Sequence, residues 1–333
     1  MNKLLIGLLG ALVATNLALA SSNVVQQGTG LPILITNSNS TAATELEQLM
    51  AKDDAVQAEV GKWIRDNNAF ATQGAGESKA ELNRRIMARL SGIRAGYEDF
   101  LRRYPNSAGG HLAYGSFLND IGEEEAAGAQ YGKAAQLDPK NPAAWNNLAN
   151  YYGEHGPLTN AFVDYAKAIE LNPTESVYYQ NLATTVYLYR KDAIAFYHIN
   201  EQQVFDKSLA LYRKAMQLDP DNFQLATDYA QSYYGTRPFR TNDALAAWTN
   251  ALQIARDDIE REGVYIHLAR IKMIAGRYVE AHAQLDAVTN SAYADLKRGL
   301  ERSLAQRENK TTNTTTISTN VMIAPTNTPA SDK

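Results

Sequence analysis

Five histidines, His111, His155, His198, His267 and His282, are the first places to look for metal or acid–base chemistry. No two stand four apart with a glutamate between, the spacing that sets two imidazoles on one helix face around zinc. His198 and Glu201 are close in sequence, but one such pair is not a ligand set. The carboxylates of Glu123, Glu124 and Glu125 fall in a polar turn, where their charge favours the start of the following helix rather than acid–base work. Gly109-Gly110 opens a helical segment and follows no strand, so it lacks the setting of a phosphate-binding loop. No nucleophile-elbow sequence occurs, and the absence of cysteine excludes disulfides, thiolate metal sites and a cysteine nucleophile. The expectation is a protein with no catalytic residues, no metal and no cofactor: not an enzyme.

What the chain carries instead is a pattern that returns every 34 residues. Trp145, Leu148, Ala149, Tyr152, Ala161, Tyr165, Ala168 and Pro173 repeat the offsets of His111, Tyr114, Gly115, Leu118, Ala127, Tyr131, Ala134 and Pro139 one period earlier. Full units span 108–141 and 142–175. A third starts at Ser176 with Tyr179, Leu182, Ala183 and Val186, and closes late, on Ala215 and Pro220, after a 13-residue insertion. A fourth, from Phe223, has a two-residue insertion near Pro238, and a fifth starts at about Glu262. Within a unit the large and small apolar positions lie three, four and seven apart, on one face of a first helix. Gly115, Ala149, Ala183, Ala230 and Ala269 let a second helix approach, and Ala127, Ala161, Ala244 and Ala281 answer from that helix. Pro139, Pro173 and Pro220 end the second helices.

Other elements flank this array. Residues 1–20 read as a signal peptide: Lys3, an apolar run from Leu4 to Ala14, and Ala18-Leu19-Ala20 before Ser21. That run is short for a membrane span. The expected address is export, to the bacterial periplasm; the alternative is tethering to a membrane by an uncleaved segment. Residues 21–42 read as a flexible lead with an apolar patch from Leu31 to Ile35. Residues 43–107 read as two helices and a degenerate repeat, capped by Thr44 with Glu47 and by Ser78 with Glu81. The array covers 108–290, with the insertion near 190–204. A capping helix at 291–308 places Tyr293, Leu296, Leu300 and Leu304 on one stripe, and 309–333 is a Thr/Asn/Pro-rich tail expected to be disordered. The formal net charge of −4 gives no footprint for nucleic acid, and Arg84, Arg85, Arg89, Arg94, Arg102 and Arg103 interleave with acids as a solvated face does.

On these offsets the chain resembles the tetratricopeptide repeat family, over roughly 108–290. The resemblance implies an all-α, right-handed α-solenoid of about five helix pairs, with N-terminal helices and a C-terminal capping helix. It also implies a concave groove lined by the first helices, in which family members hold peptides or partner segments without catalysis. By the family pattern the fifth and ninth positions of each unit face that groove: Leu112 and Ser116, Asn146 and Asn150, Gln180 and Thr184, Thr227 and Gln231, Ile266 and Arg270, with Tyr187 and Tyr234 as aromatic walls. Amides both donate and accept, so such a row can pair with an extended backbone. The Lys and Arg partners of the family's carboxylate clamp are absent near Asn150, which speaks against a C-terminal carboxylate ligand. In the insertion, Asp192 and Asn200 can cap helices, while Phe196, Tyr197 and Phe205 either pack on the neighbouring unit or form a docking lobe, with packing favoured. The expected function is a non-catalytic scaffold or adaptor of the cell envelope that binds a protein or peptide in the groove. The alternative is a structural subunit of a self-assembling or multi-protein envelope complex, docking through the insertion or outer face. Neither nucleic acid nor a small-molecule cofactor is expected as partner, and stable membrane insertion is not expected once the signal is cleaved.

Overall fold

The structure, a computed structural model, describes residues 41–71 and 74–321, with side chains to residue 309. The expected signal segment, the Leu31-to-Ile35 patch and residues 322–333 lie outside the described residues. Those residues form fourteen α-helices and no strand. They are α1 (Thr41–Ala71), α2 (Lys79–Arg103), α3 (Ala108–Asp120), α4 (Glu124–Leu137), α5 (Pro142–His155), α6 (Leu158–Leu171), α7 (Ser176–Leu188), α8 (Arg190–Tyr197), α9 (Glu201–Leu218), α10 (Phe223–Ser232), α11 (Thr241–Gln253), α12 (Asp258–Ile274), α13 (Tyr278–Asp286) and α14 (Ala294–Val321). The chain divides into two compact units between Pro220 and Asp221.

In the first unit, α3 packs on α4, α5 on α6 and α7 on α9, each pair being one repeat. The small residues set the separations. A Cβ added to Gly115 would lie 2.7 Å from the Tyr131 ring, so α3 and α4 approach as closely as they do only because that position is bare. Ala127, Ala149, Ala161, Ala168, Ala183 and Ala215 are all buried, as the offsets require. Each second helix stops before its proline: α4 at Leu137, α6 at Leu171 and α9 at Leu218. A further lock joins successive repeats. The fourth residue of each unit reaches back to the carbonyl of the preceding proline: His111 Nε2 to Pro105 O at 2.9 Å, Trp145 Nε1 to Pro139 O at 2.9 Å, and Tyr179 Oη to Pro173 O at 3.2 Å.

The helices α1 and α2 extend this core through Leu46, Val56, Val60, Ile93, Tyr97 and Phe100. The Ser78–Glu81 capping box forms as expected, but the chain is already helical at Thr41, so Thr44 lies within α1 instead of capping it. Ala42 and Ala43, good helix formers, carry the helix upstream. Of the six arginines on α2, Arg85, Arg89, Arg94, Arg102 and Arg103 pair with Glu77, Glu59, Glu123, Asp99 and, for Arg103, Glu45 as well as Asp99.

In the second unit, α10 packs on α11 and α12 on α13. Here α12 begins at Asp258, earlier than the expected start near Glu262, because Asp257 caps it by accepting from Glu260 N at 2.8 Å. Tyr293 and Leu304 bury against α12 and α13, and Tyr293 Oη donates to Ile259 O at 2.8 Å. Leu296, expected on the same stripe, is exposed. The helix α14 also runs past residue 308, through residues expected to be disordered, to Val321. No glycine follows Gly299 and no proline lies between Pro238 and Pro325, so no helix breaker falls within the later part of α14. No described helix is long and apolar enough to cross a membrane.

Candidate functional site

The fifth position of each unit does not face solvent. Leu112, Asn146, Thr227 and Ile266 are buried and Gln180 is half-buried. In the first unit Asn146 is enclosed between helices: Asn181 Nδ2 donates to Asn146 Oδ1 at 3.0 Å, and Asn146 Nδ2 donates to Asn147 Oδ1 at 3.2 Å. This buried amide chain satisfies the polar atoms that α5 and α7 bring together, so Asn146 holds repeats rather than a ligand. Thr227 is likewise spent on its own helix, donating to Gln224 O at 2.8 Å.

The ninth position is half-exposed in the first unit and makes a repeated staple to the tyrosine of the second helix. Ser116 bonds Tyr131, Tyr165 Oη donates to Asn150 Oδ1 at 2.7 Å, and the Thr184 and Tyr212 hydroxyls lie 2.8 Å apart. Thr185 spends its proton on Asn181 O at 2.9 Å and its Oγ1 lies 3.5 Å from Tyr165 Oη, while the phenol proton goes to the Asn150 amide oxygen. Among the described residues nothing accepts from Asn150 Nδ2. A half-exposed amide is thereby held with its donor unspent. Sequence spacing gave no sign of these staples, because they join residues on different helices.

Beyond the ninth row, Asp120, Glu154 and Leu188 occupy the thirteenth position of three successive first helices, and all are exposed. Asp120 is exposed as a residue while its carboxyl is crowded by protein: burial first, then the charges of Asp53 and Asp54, push it up to about 7. Beside this row Tyr187 packs against Phe205, with ring centroids 6.0 Å apart, under the Arg190 guanidinium. Thirteenth-position residues were not among the expected site.

The insertion packs inward. Phe196 and Tyr197 set their ring centroids 5.1 and 5.4 Å from that of Phe162 on α6, and Phe205 is buried in α9. Asp192 lies inside the first turn of α8, which starts at Arg190, whereas Asn200 and Gln203 form the expected capping box. The helix α8 ends at Tyr197 and is capped by His198, in the left-handed region at φ 54°. The inward packing contradicts a free docking lobe for Phe205, which has no exposed face to offer, and leaves Phe196 and Tyr197 half-buried.

In the second unit Gln231 is exposed and Arg270 sits over the Tyr234 ring at 5.8 Å. His267 stacks on Trp248 at 4.0 Å, and its Nδ1 lies 3.1 Å from Tyr234 Oη. Burial first and Arg270 second push His267 down to about 4, so it is neutral near pH 7. Trp248 replaces the stapling tyrosine, and its Nε1 has no partner among the described residues.

A family model described as tetratricopeptide repeat matches residues 142–175, the unit that contains Asn146 and Asn150. No curated protein matches the chain. Among solved structures, PilW, described as a widely conserved type IV pilus biogenesis factor, matches with a TM-score of 0.52 at 13% identity, covering 64% of this chain and 91% of that one. Pseudomonas aeruginosa PilF matches at 0.49 and 16% identity over 76% and 99%, and YrrB at 0.47 and 14% over 62% and 97%. At such identities the likeness is one of fold. Residues 142–175 form a tetratricopeptide repeat, and the 34-residue offsets and the helix pairs they build continue the same repeat fold beyond that unit.

Proposed function

We propose that the chain is a non-catalytic adaptor that binds an extended partner segment along the first helices of its first unit, at Ser116, Asn150, Thr184, Asp120 and Leu188. The fold is that of a protein-interaction repeat scaffold. The observation that carries the finer reading is Asn150: half-exposed, locked by Tyr165 through Oδ1, with Nδ2 left to donate. A preorganised donor costs little ordering entropy when it meets a backbone carbonyl. Export to the periplasm and work at the cell envelope are part of the same reading, supported by the N-terminal pattern of Lys3 and the apolar run that follows it.

The test is a random peptide library selected on the purified chain, with the enriched peptide titrated against an Asn150→Asp variant. Aspartate keeps an acceptor for Tyr165 and loses the donor. Losing a bond and setting a carboxylate against a peptide carbonyl weakens binding by about tenfold or more. Failure to enrich any peptide, or equal affinity for the variant, overturns the proposal.

A further inference from the structure

The hairpin between α4 and α5 brings together three side chains, one from α4 and two neighbours from α5. Glu124 opens α4, and Glu154 and His155 close α5. One donor atom from each lies within 4.8 Å of the other two, and His155 Nε2 is 2.6 Å from Glu124 Oε2. Tyr151, one turn back on α5, meets the His155 ring edge-on at 5.3 Å and fixes its plane.

One feature sets this cluster apart from an ordinary surface ion pair. Among the described residues neither Glu124 nor Glu154 has a Lys or Arg partner, although adjacent Glu123 is taken by Arg94. Its two carboxylates therefore repel across the hairpin with only an imidazole between them. The C-terminal end of α5 sets a negative pole beside Glu154 and His155, while the N-terminus of α4 sets a positive one beside Glu124.

We propose that Glu124, Glu154 and His155 form a divalent-metal site of the zinc type, with one imidazole nitrogen, two carboxylate oxygens and the remaining position open to water. Zinc accepts this donor mixture at about 2.0–2.2 Å, which sets tetrahedral donors about 3.4 Å apart. Reaching that spacing takes small side-chain rotations: Glu124 moves off its hydrogen bond to His155, and Glu154 moves in. The backbone stays as packed. The ion ties the end of one first helix to the start of the preceding second helix.

The test is calorimetric titration of the tag-free, chelator-stripped chain with Zn²⁺ in a non-coordinating buffer. His155→Ala and Glu154→Gln are compared with His282→Ala, because His282 also pairs with a glutamate, Glu308 at 3.2 Å, but has no third ligand among the described residues. The expected result is one Zn²⁺ per chain, weakened by at least about tenfold in the first two variants and unchanged in the third. A second readout needs no variant of the hairpin: Zn²⁺ shifts the proton resonances of one histidine ring and leaves the ring assigned through His282→Ala in place. Absence of saturable binding, affinity retained in folded His155→Ala, or a shift of the His282 ring instead overturns the proposal.

Discussion

Asp53 offers a quantitative test of how the N-terminal helices are held. It lies buried on α1, accepts from Tyr97 Oη at 3.0 Å and from Gln57 Nε2 at 3.4 Å, and neighbours Asp54. Burial pushes its carboxyl from 3.8 up to about 6; the Tyr97 and Gln57 bonds oppose this and Asp54 adds to it. A carboxyl with a folded pKa above its unfolded one binds its proton more tightly when folded. Its ionisation therefore weakens the fold, fully so above the folded value, and the penalty fades as pH falls toward 3.8. Two units at about 1.36 kcal/mol each put that penalty at about 3 kcal/mol at pH 8, and the same two pKa values leave about 1 kcal/mol at pH 4.5. An Asp53→Asn variant keeps an acceptor for Tyr97 but has no charge to bury. Urea unfolding by circular dichroism across this pH range should show the variant more stable than the parent at pH 8, with the gain shrinking by about 2 kcal/mol on acidification. A gain that is independent of pH, or a loss at pH 8, would show that Asp53 is not held against its own ionisation.

Three other outcomes follow from single contacts. Trp145→Phe removes the bond to Pro139 O and should cost about 1 kcal/mol in urea unfolding, while an unchanged midpoint would make the inter-repeat lock idle. Gly115→Ala drives a Cβ to 2.7 Å from Tyr131, so overpacking should outweigh the gain in helix propensity and lower the melting temperature by a few degrees; a rise would contradict the packing. Glu262 is buried, which by itself would raise its pKa, but bonds from Asn290 N, Thr289 Oγ1 and Thr289 N outweigh that and hold its pKa down. Glu262→Gln should therefore loosen the start of the C-terminal cap near neutral pH and matter less as acid protonates the parent, seen as faster amide exchange at Thr289 and Asn290.

The repeat fold was legible because its cause is local. Ala149 and Ala161 sit where two helices of one unit must touch, and Pro173 where the second must stop, so a fixed period records both. The face open to a partner was much less legible. Whether a first-helix position is covered depends on the adjacent repeat, and residues such as Asn146 and Asn181 meet across the helix packing at 35 positions' distance. A polar type at a position then says nothing about exposure: Asn146 is enclosed and Asn150, four residues on, is not. The Glu124–His155 contact is hidden for the same reason, since its partners come from two helices. Phe196 and Tyr197 were ambiguous between packing and docking until the path of α8 set them against Phe162.

The partner-binding face is best probed by site-specific photocrosslinking with the library-selected peptide. A photoreactive residue is placed in turn at position 120, at 188, where Leu188 is 60% exposed, and at 163 on α6, where Val163 is 53% exposed. Adducts are expected at 120 and 188 with none at 163. Adducts at 163 with none at the first-helix positions would overturn the proposed face and place the partner on the second helices.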